Sequence, residues 1–242
     1  MSDTLNIPDK KRHYNRSVFT TVAPKYDFIT RALSFGRDQA WKRQLIATLP
    51  DLPAPHCLDL ACGTGDLTRM LAQSYPGGEV IGLDLTPSML DLADELTECP
   101  RIRFVEGDLG ATQLPDASAD VITGGYALRN APDLNQALRE VFRVLKPGGT
   151  AAFLDFSKSH KPLAQSIPLG LLHIWGSFWG LVLHRDASVY RYIADSLRTF
   201  PDRVTLRRLI KENGFELLNA QSFYCGMLEC LVIKKPKSLG SE

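Results

Sequence analysis

Leu58-Asp59-Leu60-Ala61-Cys62-Gly63-Thr64-Gly65-Asp66 is the stretch whose reading decides the fold. An apolar, strand-like entry (Cys57, Leu58, Leu60) delivers an acid and then a Gly-x-Gly turn, and Leu67, Met70 and Leu71 behind it follow a helical period. Gly63 and Gly65 admit backbone angles closed to other residues, so the main chain can approach a nucleotide and present amides to it at a helix N-terminus. A dinucleotide fingerprint requires a third glycine where this chain has Thr68. A triphosphate loop requires a Lys-Ser/Thr pair, which does not follow. Asp59 and Asp66 flank the turn with negative charge, which repels a pyrophosphate and suits a cationic ligand. S-adenosylmethionine, with its sulfonium and ammonium, fits that requirement.

Further acids recur at the ends of strand-like runs. Glu79 to Asp84 reads as a buried strand ending in an acid about 20 residues past the turn, where a carboxylate accepts hydrogen bonds from ribose hydroxyls. Thr86, Pro87 and Ser88 then open a helix. Arg103 to Asp108 reads as a third strand, its terminal acid placed for the exocyclic amine of an adenine and Leu109 placed to cover the ring. One such carboxylate is more often a helix cap. Three at successive strand ends form a series, and the expected cofactor set is Asp59, Gly63, Gly65, Thr68, Asp84, Leu85, Asp108, Leu109 and Gly125.

Ala119 to Tyr126 continues as a fourth strand, followed by an amphipathic helix from Asp133 to Leu145 that Lys146-Pro147-Gly148-Gly149 ends. Thr150 to Asp155 reads as a fifth strand, Val204 to Asn213 as a helix and Glu229 to Ile233 as a last strand. Alternating strands and helices predict an α/β, doubly wound, Rossmann-like sheet, mostly parallel with an antiparallel C-terminal strand, whose ligand crevice lies at the carboxyl ends of the strands.

These features together resemble a class I S-adenosylmethionine-dependent methyltransferase, and more narrowly the UbiE/MenG family that C-methylates quinone precursors in ubiquinone and menaquinone biosynthesis. The resemblance spans most of the chain: Ala23-Pro24-Lys25-Tyr26-Asp27, Leu33-Ser34-Phe35-Gly36, Trp41-Lys42-Arg43, the glycine motif through Thr68, Leu128-Arg129-Asn130, Leu145 to Gly149, and Tyr190-Arg191-Tyr192 with Ser196 and Phe200-Pro201-Asp202. The chain departs from that pattern at Cys62, where the family carries a second glycine, at Thr30 in place of Asn, and at Tyr126-Ala127 in place of Phe-Gly. The resemblance implies methylation at a ring carbon of a demethylated quinol. A carbon nucleophile needs an attached hydroxyl to lose its proton, and a guanidinium can stabilise the phenolate and orient a water that takes that proton. Arg129 is the residue the resemblance assigns to this task, with Asn130 to orient the ring oxygens and Tyr126 or His173 to assist. An O- or N-methyltransferase, a protein that binds S-adenosylmethionine without methyl transfer, and an NAD oxidoreductase remain as alternatives at this level.

The 242 residues, 44% hydrophobic and 23% charged, suffice for one sizeable α/β core. A net charge of +1 disfavours nucleic acid as a partner. Five cysteines without paired spacing suggest neither a disulfide framework nor a metal site, and point to a cytosolic setting. No secretory signal is read at the N-terminus, where Met1 to Arg12 is expected to be mobile, and Lys234 to Glu242 reads as a frayed tail.

Two segments are expected to form a small helical cap over the crevice: residues 1–49, ahead of a cofactor-binding domain at 50–242, and an insertion at about 157–200. Tyr26 and Trp41 on the first, and His173, Trp175, Tyr190 and Tyr192 on the second, are the expected acceptor-pocket residues, joined by Tyr14, Phe35 and Trp179 in a water-poor chamber. Ile167 to Leu183 carries no formal charge but holds Pro168, His173 and three glycines. It reads as a lid or pocket wall suited to an aromatic acceptor with an apolar tail, approached at the bilayer face without insertion, rather than as a spanning helix. A plain core helix or a homodimer contact through the same segment is the competing reading.

Overall fold

The computed structural model describes residues 7–158, 170, 174–182, 185, 191–223 and 226–237, without the side chains of Arg191, Tyr192 and Ala194. Its centre is a seven-stranded sheet of β1 (His56–Leu60), β2 (Glu79–Asp84), β3 (Ile102–Glu106), β4 (Ala119–Gly125), β5 (Leu145–Phe156), β6 (Glu216–Phe223) and β7 (Leu228–Lys234). The strand order is β3-β2-β1-β4-β5-β7-β6. The first five strands pair in parallel, while β7 is antiparallel to both β5 and β6, so it is the one reversed strand. Connections run outward from β1 to β2 and β3 and then return to β4 on its other side. That reversal opens a crevice at the carboxyl ends of β1 and β4, the position where open α/β sheets bind ligands.

α-Helices with described bounds accompany the sheet: α1 (Pro8–Val22), α2 (Tyr26–Leu33), α3 (Asp38–Ile46), α4 (Asp66–Ser74), α5 (Pro87–Glu95), α6 (Ala127–Asn130), α7 (Leu134–Val144), α8 (Arg191–Thr199) and α9 (Arg203–Glu212). Local chemistry sets their ends. Asp133 and Asp202 cap α7 and α9 by accepting the backbone N–H of Gln136 and of Val204 and Thr205. Gly65, at φ +82°, turns the chain from the glycine loop into α4. α7 buries Ala137, Leu138, Val141 and Val144, the stripe that its 3.6-residue period predicts. The core is filled by Leu58, Leu60, Leu83, Ile122, Phe153 and Leu154 from the central strands, each at most 1% exposed.

Several boundaries differ from the sequence reading. Ladder pairing of β5 begins at Leu145 opposite Ala119 and resumes at Thr150 opposite Val121, so Lys146 to Gly149 bulges from the strand besides ending α7. Gly148, at φ +83°, makes that bulge possible and donates to the Lys235 carbonyl. β6 was not legible as a strand because its residues are mostly exposed. It is held at the sheet edge by its ladder with β7. Of the segment expected to be mobile, Met1 to Arg12, residues 8–12 instead lie in α1, with Lys11 buried, and residues 1–6 lie outside the described residues. At the other end Lys235 is tied down, its ammonium donating to the carbonyls of Phe142 and Leu145.

Candidate active site

The site is assembled along the carboxyl edge of β3, β2, β1 and β4. Asp84 ends β2, is 9% exposed, and accepts the Gly63 N–H at 2.9 Å and the Thr86 N–H at 2.8 Å. Those two donors bind the glycine loop to the next strand end. Burial pushes its carboxyl above the usual range, opposed by the backbone N–H groups of Gly63, Thr86 and Leu85 and by the Thr86 hydroxyl. Asp108 lies just past β3, and both its oxygens are already engaged: Oδ1 accepts the Gly110 N–H at 2.7 Å and Oδ2 accepts Arg12 Nε at 2.5 Å.

Asp59 and Asp66 differ from the simple picture of two anions facing a cation. Asp59 is fully buried, and its oxygens accept the hydroxyls of Thr68 at 2.7 Å and Thr123 at 2.8 Å. Burial lifts its carboxyl to about 6, the two threonines opposing the rise. Thr68 thus ties α4 to β1. Asp66 is bound by Lys42 and Arg69, each at 2.8 Å. Burial raises its carboxyl, but the charges and hydrogen bonds of Lys42, Arg69 and Gln39 outweigh it and hold Asp66 below its ordinary value.

Two cavities meet at this edge. One, with about 610 Å³ of empty space, is lined by Gly63, Asp84, Leu85, Asp108, Leu109 and Gly125, together with Asn15 and Phe19 of α1 and Met89 of α5. The other, with about 790 Å³ of empty space, is mainly apolar: Val22, Ile29, Leu33, Trp41, Phe156, Ile193 and Met227 surround Arg129, with Thr30 and Ser34 among them. Phe19, Tyr26, Tyr126 and Asn130 line both, so they form the wall between the two chambers. The sequence reading missed Asn15, Phe19, Ile29, Met89 and Met227. Only the spacing of Tyr14, Val18, Phe19 and Val22 hinted that α1 turns an apolar face inward.

Arg129, on the short α6, is 2% exposed and its guanidinium lies 3.7 Å from Asp155 at the end of β5. It also donates to the Ser196 hydroxyl of α8 and stacks over the Phe156 ring, 5.2 Å from its centroid. Asp155 in turn accepts the backbone N–H of Arg129 at 2.9 Å and of Phe156 at 2.7 Å. Burial raises the Asp155 carboxyl, and the Arg129 charge is the chief force opposing it. Lys11 donates to the Arg129 carbonyl, and burial followed by the Arg129 charge pulls its ammonium down to about 8. Asn130 donates to the Tyr126 carbonyl at 2.9 Å and its own carbonyl accepts Asn15 Nδ2 at 2.7 Å. Its buried side-chain oxygen has no hydrogen-bond partner among the described residues. Tyr126 turns the chain between β4 and α6 at φ +59°, an uncommon conformation for a residue with a side chain. Burial, then the charges of Asp38 and Asp155, push its phenol well above the usual range, so it stays protonated and can donate.

The remaining aromatic residues divide. Tyr26 and Trp41 line the apolar cavity. Trp175 lies on the helical residues 174–182, where it stacks on Phe35 at 5.6 Å and on Phe178 at 5.6 Å, outside both chambers. Gly65 and Thr68 likewise shape the loop from behind. His173 and Tyr190 fall outside the described residues, as does the side chain of Tyr192.

The chambers suit S-adenosylmethionine and a separate acceptor. The first has the Asp84 carboxylate in its wall, apolar surface at Leu85, Leu109 and Met89, and glycine backbone at Gly63 and Gly125 that leaves room for a ligand. Among solved structures, an S-adenosylmethionine-dependent methyltransferase from Mesorhizobium loti superposes with a TM-score of 0.59 at 20% identity, covering 79% of this chain and 96% of that one, which shows the shared fold. Two curated proteins match at higher identity. The demethylmenaquinone methyltransferase of Lactobacillus johnsonii is 35% identical, with 89% of each chain covered. The ubiquinone/menaquinone biosynthesis C-methyltransferase UbiE of Pseudoalteromonas translucida is 38% identical, over 87% of this chain and 86% of that protein. The family model that matches residues 7–233 agrees with them, and the chain belongs to the ubiE/COQ5 methyltransferase family.

Proposed function

We propose that this S-adenosylmethionine-dependent methyltransferase C-methylates the ring of a demethylated quinol bearing an apolar tail. The observation that carries the reading is the pair of chambers joined at Tyr26, Tyr126 and Asn130, with Arg129 on the acceptor side only. S-adenosylmethionine, when bound, supplies an electrophilic methyl group; Gly63, Asp84, Leu85, Leu109 and Gly125 are the residues that would hold it. The chain itself supplies alignment and exclusion of water, since charge disappears in the displacement and no strong acid is needed at the donor.

The acceptor must lose a hydroxyl proton, to a water that Arg129 orients, for its ring carbon to attack; the methyl–sulfur bond would break as the methyl–carbon bond forms, and loss of the ring-carbon proton to water restores the aromatic ring. Arg129 lies in a cavity with an apolar wall, where a guanidinium stabilises an oxyanion more than it does in water. The Asn130 side-chain oxygen is an acceptor at the wall between the chambers, suited to a quinol hydroxyl. Tyr126, kept neutral by burial, can donate to the second ring oxygen. Asp155 holds Arg129 in place through its backbone amide and its side chain.

The apolar tail is served by the same elements. α2 lines the acceptor cavity with Ile29 and Leu33, and presents Phe28, 54% exposed, on its outer side. Phe35, Ile174, Phe178, Leu181 and Val182 are also at least half exposed, and Phe28 meets Trp179 edge to face at 5.5 Å. This aromatic and aliphatic face supports peripheral contact with a bilayer, from which the acceptor enters. No helix among the described residues is long and apolar enough to cross a membrane.

The test is incubation with methyl-labelled S-adenosylmethionine and demethylated quinols of increasing tail length, with the labelled position mapped. Label on a ring carbon is expected. Label on oxygen or nitrogen, or on none of the quinols, overturns the assignment.

A further inference from the structure

A third, smaller pocket, with about 310 Å³ of empty space that includes open solvent, adjoins the cofactor chamber, with Tyr26, Ala61, Gly125 and Tyr126 in both walls. Its own wall holds Lys42, Asp59, Thr64 and Asp66. Lys42 comes from α3, in the segment ahead of the sheet, and its side chain is only 8% exposed. Its ammonium contacts Asp66 at 2.8 Å and, more loosely, Asp38 at 3.4 Å. An ammonium has three N–H donors, so two carboxylates leave one for the cavity.

The strand order tells which part of a ligand reaches this place. Asp108 follows β3, Asp84 ends β2, and the glycine loop follows β1, each about 4.8 Å from the next across the sheet. A nucleoside laid along that edge, with its ribose at Asp84 and its base toward Leu109, has its substituent at the ribose 5′ position pointing to the glycine loop. The third cavity begins there. In S-adenosylmethionine that substituent ends in an α-amino acid, a carboxylate and an ammonium side by side. The cavity wall offers complementary groups, an ammonium at Lys42 and the Asp59 carboxylate.

We propose that Lys42 receives the carboxylate of the amino-acid end of S-adenosylmethionine, with Asp38 and Asp66 holding its ammonium at the cavity wall. The assignment rests on the methyl-donor reading of the neighbouring chamber. It gives the helical segment before the sheet a direct part in donor binding: α3 supplies a cation to the cavity beside the glycine loop, while Arg69 is engaged by the Thr64 carbonyl and Asp66. It also accounts for the position of Asp66, which orients Lys42 rather than facing the sulfonium.

Calorimetry without acceptor tests this, using S-adenosylmethionine and its decarboxylated counterpart, which keeps the ammonium and loses only the carboxylate. Wild-type protein should prefer the intact ligand by about 10- to 100-fold, the range of one charge-assisted hydrogen bond. In Lys42→Met that preference should fall below about threefold, with affinity for the decarboxylated ligand unchanged. A preference that survives in Lys42→Met, or an equal loss for both ligands, overturns the proposal and leaves Lys42 a structural partner of Asp66. Failure of wild-type protein to bind either ligand would count against the donor chamber itself. If Lys42→Met does not fold, Asp38→Asn combined with Lys42→Met removes the buried cation together with a buried partner and carries the same comparison.

Discussion

Replacing Arg129 with alanine strikes the most deeply buried charge at the acceptor cavity. Its guanidinium is 2% exposed and lies 3.7 Å from Asp155, which is 3% exposed. At an effective dielectric of about 20, two unit charges at that separation attract by roughly 4 to 5 kcal/mol. The variant forfeits that attraction and strands the Asp155 carboxylate with two backbone donors, a loss of about 3–5 kcal/mol of stability. The loss should depend on pH. Asp155 already titrates above 3.8 because it is buried, and Arg129 is the main influence pulling it back. Without Arg129 it rises further. A carboxyl that binds its proton more tightly in the folded chain than in the unfolded chain loses stability as pH rises through its folded value and regains it as pH falls. Arg129→Ala should therefore be most destabilised near about pH 8 and partly rescued near about pH 5, relative to wild type. Loss of the phenolate partner should lower kcat by about 100- to 1000-fold with donor affinity retained. Urea unfolding at both pH values, donor calorimetry and saturating kinetics read the three quantities separately. Equal destabilisation at the two pH values would refute the Asp155 coupling. A folded variant with kcat within about threefold of wild type would refute the role of Arg129.

Two further substitutions probe the donor side. Asp59 is fully buried and lifted to about 6, so ionising it costs on the order of 3 kcal/mol of stability at neutral pH, a cost that develops as pH rises from about 4 to 6. Asp59→Asn should remove that part of the acid-to-neutral decline in unfolding free energy, its amide still pairing with the Thr68 and Thr123 hydroxyls; an unaltered decline would show that another group titrates there. Gly65→Ala places a methyl group on a residue at φ +82°, 3.0 Å from Phe104 and 3.1 Å from Arg69. The backbone conformation alone costs about 1–2 kcal/mol, and moving Arg69 disturbs its pair with Asp66, so a lower melting temperature and weaker donor binding are expected together; an unchanged melting temperature would contradict the strain.

The glycine loop, the acid at the end of β2 and the amphipathic α7 were legible because each depends on residues close together in the chain. A strand that delivers Asp59 to a Gly-x-Gly turn, and a stripe with a 3.6-residue period, are local patterns. What each acid does was less legible. Asp59, Asp66 and Asp108 read alike as sequence, yet one is buried among threonine hydroxyls, one is paired with two cations, and one is engaged by Arg12. The partners that separate them are up to 96 positions away. For the same cause residues 8–12 did not read as part of an ordered helix. Lys11, Arg12, Asn15 and Arg16 look like solvated residues until Arg129, Asp108, Asn130 and Glu106 meet them across the fold.

By itself the sequence determined six of the seven strands, the class of cofactor and the family, since these follow from short motifs and from the alternation of strand and helix. Only the tertiary structure decided that Arg129 shares a burial site with Asp155 and Ser196, that Asn130 keeps an acceptor at the wall between two chambers, and that Lys42 reaches the glycine loop from a helix outside the sheet. Those relations join distant parts of the chain. Their energies come from desolvation and from charges a few ångströms apart, quantities that have no value until the chain has folded.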